Sequence, residues 1–88
     1  MPYYNYYFNM KLISDLKVGD IIFIINKIRW ILDFGEIINN ENVLIKCQCY
    51  FGNEILYLWN YDTSRHETTN YIVFTDENEA IKEFKNGL

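Results

Sequence analysis

Two cysteines and one histidine are the residues of this chain that first suggest chemistry. Cys47 and Cys49 could supply two metal thiolates, but a structural zinc site needs four ligands, and only His66 offers a plausible third. On a strand the two cysteines would lie about 6–7 Å apart on one face, so a mutual disulfide would strain the backbone. The pattern favours two reduced thiols that pack as small hydrophobic side chains.

Catalytic signatures are not evident in the sequence. His66 lies two residues from Ser64, but a nucleophilic serine needs a histidine that a third group orients, and no such group stands out. The run Asp33–Gly35 spells a protein-kinase motif without the glycine-rich loop or the catalytic loop of a kinase. No glycine-rich phosphate loop is present. We therefore predict a protein that is not an enzyme and that uses no metal or cofactor.

The charge balance bears on the class of partner. The chain has 12 acidic and 8 basic residues and a net charge of −4, and its lysines and arginines are not clustered. Binding to a phosphate backbone needs such clusters, so the sequence predicts no direct nucleic-acid binding. An acidic protein suits a protein partner with a basic surface, which it would attract by electrostatic steering.

Residues 1–9 are unusual because they contain five aromatic side chains and no charge. They could form an edge strand on the domain, a disordered leader before Met10, or an aromatic contact patch, since tyrosine is enriched at protein interfaces. An exposed cluster of this kind would either dock on its own chain or form a homodimer. The candidate partner-binding residues are Tyr3, Tyr4, Tyr6 and Tyr7, the loop residues Arg65 and His66, and the acidic helix residues Glu77, Glu79 and Glu83.

The strand that organises the chain is predicted at Ile21–Ile25. A turn at Gly19-Asp20 leads into it, and its apolar residues on both faces predict a strand that is covered on both sides. A two-residue turn at Asn26-Lys27 should follow. The next strand alternates over Ile28–Phe34, with Ile28, Trp30, Leu32 and Phe34 on its buried face and a bulge or bend at Gly35.

The second half of the chain predicts a hairpin, a loop, a last strand and a helix. Gly52-Asn53 is a favourable hairpin turn, and the polar run after the hairpin predicts a surface loop. The helix should begin at Asp76 and end near Gly87, with an apolar stripe at Ala80, Ile81, Phe84 and Leu88. The predicted segments are strands 43–51 and 54–62, loop 63–70, strand 71–74 and a helix at about 76–87.

These elements predict a mainly β protein with one domain. We expect a small antiparallel SH3-like barrel of five or six strands over residues 11–88, closed by one C-terminal α-helix, with residues 1–10 as a Tyr-rich arm or edge strand. An open meander with the helix across one face is the alternative. The first ten residues lack the features of a signal peptide, and the longest apolar run is too short to span a membrane, which together predict a cytoplasmic protein.

Both ends of the chain resemble a known type of protein. Residues 16–24 resemble the first strand of small SH3-like barrels, and residues 73–81 resemble the strand-into-helix ending of small uncharacterised phage and bacterial proteins of this barrel type. The resemblance implies the fold and a mobile-element setting, but no catalytic residues. The predicted function is a non-catalytic protein-binding module, such as a phage-encoded inhibitor of a CRISPR-type or other host defence nuclease in the host cytoplasm. The alternatives are a small regulatory or structural subunit, or a nucleic-acid or small-ligand binder on the barrel surface.

Overall fold

A computed structural model describes residues 10–41 and 44–88, which form a six-stranded antiparallel sheet and a C-terminal helix. The sheet curls into a half-barrel in the order β4-β3-β2-β1-β6-β5, which confirms the mainly β class and the C-terminal helix. The elements are β1 (Ile21–Asn26), β2 (Ile31–Glu41), β3 (Leu44–Cys49), β4 (Ile55–Trp59), β5 (Arg65–Glu67), β6 (Tyr71–Phe74) and α1 (Glu77–Asn86).

Strand β1 is covered on both faces, as its uninterrupted apolar run predicts. Ile22 and Ile24 are buried in the inner core of the half-barrel, while Phe23 and Ile25 pack in a second core beneath α1. Gly19 lies in the turn before the strand and has a φ of 96°, and the Asp20 N–H donates to the Lys17 carbonyl. The predicted turn is therefore confirmed. Burying one such isoleucine contributes about 1.5–3 kcal/mol, so β1 stabilises both cores.

The inner core is completed by a 3₁₀ turn at Ile13–Asp15. Its backbone is tied to the segment after β4, because the Ile13 N–H donates to the Thr63 carbonyl at 2.7 Å. The turn thereby holds Ile13 and Leu16 against the concave side of the sheet, where both side chains are fully buried. The remaining members of the inner core are Ile22, Ile24, Ile37, Ile45, Cys47, Cys49, Leu56, Leu58 and Val73.

The turn between β1 and β2 differs from the prediction. Residues 27–30 form it, rather than Asn26-Lys27, and Trp30 adopts a left-handed φ of 54°. This conformation lets the Trp30 indole stack on Phe84 and donate its Nε1–H to the Phe84 carbonyl at 3.0 Å. Gly87 follows the helix as predicted, but a Cβ there would lie 2.0 Å from the Trp30 ring. Only glycine at position 87 leaves enough space for the Trp30 ring.

The buried face predicted for 28–34 is correct only in part, because Trp30 and Leu32 pack in the second core but Ile28 and Phe34 do not. Phe34 is exposed and Asp33 is buried, because the Asp33 carboxylate accepts three backbone hydrogen bonds. Ile28 lies outside the strand and is 73% exposed. The bulge falls between Ile37 and Asn39 instead of at Gly35.

Further corrections concern the second half of the chain. The segment predicted as a loop at 63–70 contains β5, which pairs with β6. Leu88 is exposed rather than packed with the apolar stripe of the helix, and Phe51 lies outside β3 and is exposed. The hairpin of β3 and β4 is confirmed, with Asn53 at a φ of 47° in its turn, although both strands are shorter than predicted. Residues 42–43 lie outside the described residues.

Gly35 is required by the close approach of β2 to β3. A Cβ on Gly35 would lie 2.3 Å from the Cys47 Sγ and 2.9 Å from the Gln48 carbonyl oxygen. Because this contact involves a fully buried sulfur and a backbone atom, the chain cannot relieve it by moving a flexible side chain.

We expect Gly35→Ala to lower the free energy of unfolding by about 1–3 kcal/mol, the usual cost of overpacking a core. Adding Cys47→Ala removes the sulfur from that contact, so the double variant should lose less stability than the sum of the two single variants. Urea denaturation of the four proteins measures this coupling. Strictly additive losses of unfolding free energy would show that the Cys47 sulfur does not limit the space for a side chain at position 35.

Candidate protein-binding surface

Helix α1 leaves part of the sheet uncovered on its own side. Its main contacts are with β1, β2 and β6. The same side of β2, β3 and β4 therefore faces solvent, and it carries large apolar side chains. We call this surface the outer face and define it by Phe34, Tyr50, Phe51, Ile55, Tyr57 and Trp59, all of which are exposed.

Strand β4 supplies half of the outer face. Leu56 and Leu58 point into the inner core, so the alternation of the strand turns Ile55, Tyr57 and Trp59 outward, with 45%, 57% and 52% of their surfaces exposed. The Lys46 Nζ lies 5.7 Å from the centre of the Tyr57 ring, which places one cation over this aromatic stripe. The strand thus presents an uncharged apolar row with a single lysine beside it.

Phe34, Tyr50 and Phe51 form the other half of the outer face as an aromatic cluster. The Phe34 ring centre lies 4.5 Å from that of Tyr50 and 5.5 Å from that of Phe51, the second pair meeting edge to face. Such ring pairs contribute about 0.5–1.5 kcal/mol beyond the area that they bury. The three rings are therefore arranged as one unit, although Phe51 remains 71% exposed.

The Asp33 carboxylate positions this cluster from beneath the sheet. It accepts hydrogen bonds from the backbone N–H groups of Phe34 at 2.7 Å, Phe51 at 3.0 Å and Gly52 at 3.0 Å. Only 7% of Asp33 is exposed, so these bonds compensate the cost of burying a charged side chain. The carboxylate fixes the chain that carries Phe51 relative to the strand that carries Phe34.

A groove separates the aromatic cluster from α1. Its volume is about 560 Å³, and its walls are apolar except for Asp33 and Glu77. The apolar lining residues are Ile21, Phe23, Leu32, Phe34, Phe51 and Ile81. The groove is continuous with the outer face through Phe34 and Phe51, so one ligand could occupy both.

Polar groups lie between the aromatic side chains. The Tyr50 hydroxyl donates to the Glu36 carboxylate at 3.0 Å, and this hydrogen bond raises the pKa of Tyr50. Together with Glu77, Glu36 gives the outer face an acidic side. A partner that covers this face would therefore meet the Glu36 carboxylate among the aromatic rings and Glu77 at the border of the groove.

Two of the sequence-predicted site residues are brought together, but they bind each other. Arg65 donates from Nη1 to Glu83 at 2.7 Å and from Nη2 to Glu67 at 3.0 Å, while its guanidinium lies over the Phe74 ring. Lys27 completes the network at 2.7 Å from Glu67 and, with Arg65, lowers the pKa of Glu67 by hydrogen bonding. This network ties β5 to α1.

The other predicted site residues are dispersed. His66 lies against the Tyr61 ring at a centroid distance of 4.7 Å. Glu77 borders the groove, whereas Glu79 lines a small pocket near Arg65 on another part of the helix. Tyr3, Tyr4, Tyr6 and Tyr7 lie outside the described residues, so a contact or homodimer through residues 1–9 stays a prediction.

Cys47 and Cys49 are both free and buried in the inner core. A hydrogen bond with Cys49 and burial together raise the pKa of the Cys47 thiol, so this thiol is protonated at neutral pH and is neither a ready nucleophile nor a ready metal ligand. Within 10–41 and 44–88, no three His, Cys, Asp or Glu side chains are grouped as a metal site would need. The helices of this part are too short or too polar to cross a membrane.

No protein-family model matches the chain, and neither a curated protein nor a solved structure is detectably similar to it. Evidence for a function therefore comes from the geometry and chemistry of the outer face.

We expect Asp33→Asn to lower the free energy of unfolding by about 1–3 kcal/mol, because an amide N–H₂ would then face backbone N–H donors in a buried site. Asp62→Asn is the matched control, since Asp62 is exposed and the same change in charge occurs there. Urea denaturation of both variants gives the comparison. Equal stabilities of the two variants would mean that the carboxylate does not hold the cluster in place.

Proposed function

We propose that this protein is a non-catalytic protein-binding module that acts by stoichiometric contact through its outer face. The observation that carries the proposal is the uncovered apolar surface on β2, β3 and β4, which includes Tyr50, Phe51, Tyr57 and Trp59. Exposed apolar side chains that cluster on one side of a small protein commonly mark interaction sites.

The composition of the outer face supports a protein partner. Tyrosine and tryptophan are among the residues that most often dominate binding energy, since they bury a large area with few rotatable bonds. The outer face has both types, and the groove beside it offers room for an apolar anchor from the partner. Glu36 and Glu77 at its acidic side favour a partner with basic residues around an apolar centre.

Two forms of this function are proposed. A phage-encoded inhibitor of a host defence nuclease fits the net charge of −4, because a nuclease presents a basic groove to nucleic acid. A small regulatory or structural subunit of a larger complex would use the same kind of contact. Gene neighbours separate the two forms, since anti-defence genes favour an inhibitor and a fixed partner gene favours a subunit.

The test is a pull-down from the native host with the full chain, followed by affinity measurements on the captured partner. We expect the double variant Tyr50→Ala/Phe51→Ala to weaken binding at least tenfold, about 1.4 kcal/mol, because it removes two exposed rings of the outer face. Ile28→Ala is the matched control, since Ile28 is an exposed apolar residue outside that face.

Ile28→Ala should keep its melting temperature, whereas Tyr50→Ala/Phe51→Ala should melt several degrees lower, because it loses both ring contacts with Phe34. Its affinity is therefore measured at a temperature at which the variant is folded. A second variant with Tyr3, Tyr4, Tyr6 and Tyr7 changed to Ala assigns the contribution of the N-terminal tyrosines. Unchanged affinity in Tyr50→Ala/Phe51→Ala, with the chain folded, would contradict binding through the outer face.

A further inference from the structure

The two edges of the sheet differ in how they are protected against pairing. Strand β5, at one edge, has only three residues, and its charged side chains Arg65 and Glu67 are held in ion pairs. Strand β4, at the other edge, has five residues, Ile-Leu-Tyr-Leu-Trp, and no charge. Short length and charge are the usual means by which proteins prevent edge pairing. Only one edge of this sheet uses them.

The direction of the backbone groups in β4 follows from one hydrogen bond. The Cys49 N–H donates to the Glu54 carbonyl at 2.9 Å, so the backbone carbonyl of Glu54 points to β3. In an antiparallel pair this direction alternates from residue to residue. The backbone N–H and C=O groups of Leu56 and Leu58 therefore point to β3, and those of Ile55, Tyr57 and Trp59 point to the open edge. Among the described residues, no strand lies beyond β4.

We propose that a second copy of this chain pairs antiparallel with β4 across a two-fold axis at Tyr57. In this register Tyr57 faces Tyr57 of the partner subunit, and Ile55 faces Trp59 of the partner subunit. Each outward N–H of the strand then faces a carbonyl of the partner subunit, and each outward carbonyl faces an N–H. This gives roughly six hydrogen bonds between the subunits. The two six-stranded sheets join into one continuous sheet.

Self-complementarity favours a second copy over an unrelated strand. A two-fold interface needs one patch that fits itself, and β4 fits itself because it has no charge that would meet its own image. In the proposed register Glu54 faces Asn60 of the partner subunit, so like charges do not meet at the ends of the strand either. On the inner side, Leu56 and Leu58 extend the two cores toward each other.

The proposed dimer enlarges the surface that the proposed function uses. Pairing across an axis perpendicular to the sheet keeps both outer faces on the same side, so the rows of Ile55, Tyr57 and Trp59 from the two subunits become one aromatic strip. The dimer does not depend on the proposed function, because its contacts are made between identical chains.

A cysteine placed on the two-fold axis tests the register directly. Facing residues in a hydrogen-bonded antiparallel pair have Cα atoms about 5.5 Å apart, within the range for a disulfide. We expect the full chain with Tyr57→Cys to form a covalent dimer on mild oxidation. Ile55→Cys is the matched control, because its new thiols would lie about 13 Å apart across the axis. Cys47 and Cys49 are buried, and the unaltered chain controls for them.

Sedimentation velocity over a range of concentrations gives an independent readout. The unaltered chain should dimerise, and Tyr57→Lys should weaken dimerisation at least tenfold, because it places two lysines face to face on the axis. Ile28→Lys, which adds the same charge at an exposed apolar site elsewhere, should dimerise normally.

Two results would overturn the proposal. One is an unaltered chain that stays monomeric up to about 1 mM, the level of the weakest specific contacts. The other is efficient cross-linking by Ile55→Cys and not by Tyr57→Cys, which would place the axis elsewhere. Neither result bears on the partner-binding proposal, which is tested with Tyr50→Ala/Phe51→Ala on a captured partner.

Discussion

A helix of ten residues cannot cover a sheet of six strands, and the surface chemistry of this protein follows from that constraint. Helix α1 is about 15 Å long and about 10 Å wide, whereas six strands spaced by about 4.8 Å span roughly 24 Å. The helix packs where β1 and β6 place Phe23, Ile25, Ile72 and Phe74 beneath it. Within 10–41 and 44–88, nothing covers the strands beyond β2 on that side, and their exposed side chains form most of the outer face.

The position of α1 is fixed by contacts at its end as well as by its apolar stripe. Trp30 stacks on Phe84, binds the Phe84 carbonyl and fills the space that a side chain at Gly87 would need. At the other side of the groove, Asp33 fixes the chain that carries Phe51. The groove between them therefore has two independently anchored walls, and a partner that enters it would meet a largely preformed site.

Much of the fold could be predicted from the sequence because its strongest signals are local. The apolar run of β1, the hairpin turn at Gly52-Asn53 and the start of α1 after Asp76 each follow from short-range chemistry, and the structure confirms all three. Trp30 and Asp33 were misplaced because their conformations depend on Phe84 and Phe51, which are distant in sequence. Periodicity alone contains no information about such contacts.

The candidate surface was missed for a related reason. Strand β4 is apolar on both sides, with Leu56 and Leu58 alternating with Ile55, Tyr57 and Trp59, so its pattern indicates a strand without indicating which side is buried. That choice is made by the inner core and by the limited reach of α1. The ion pairs of Arg65 with Glu67 and Glu83 could not be foreseen either, because they need β5 to lie beside the helix.

Residue-resolved amide hydrogen exchange at low and high protein concentration tests most directly the claim that β4 is an open, apolar interaction edge. At low concentration the amides of Leu56 and Leu58, which face β3, should exchange slowly, while those of Ile55, Tyr57 and Trp59 should exchange fast. At high concentration the three outward amides should become protected as a second copy pairs with them. Slow exchange of these three amides at every concentration would contradict the account, because it would show that the edge is already covered within one chain.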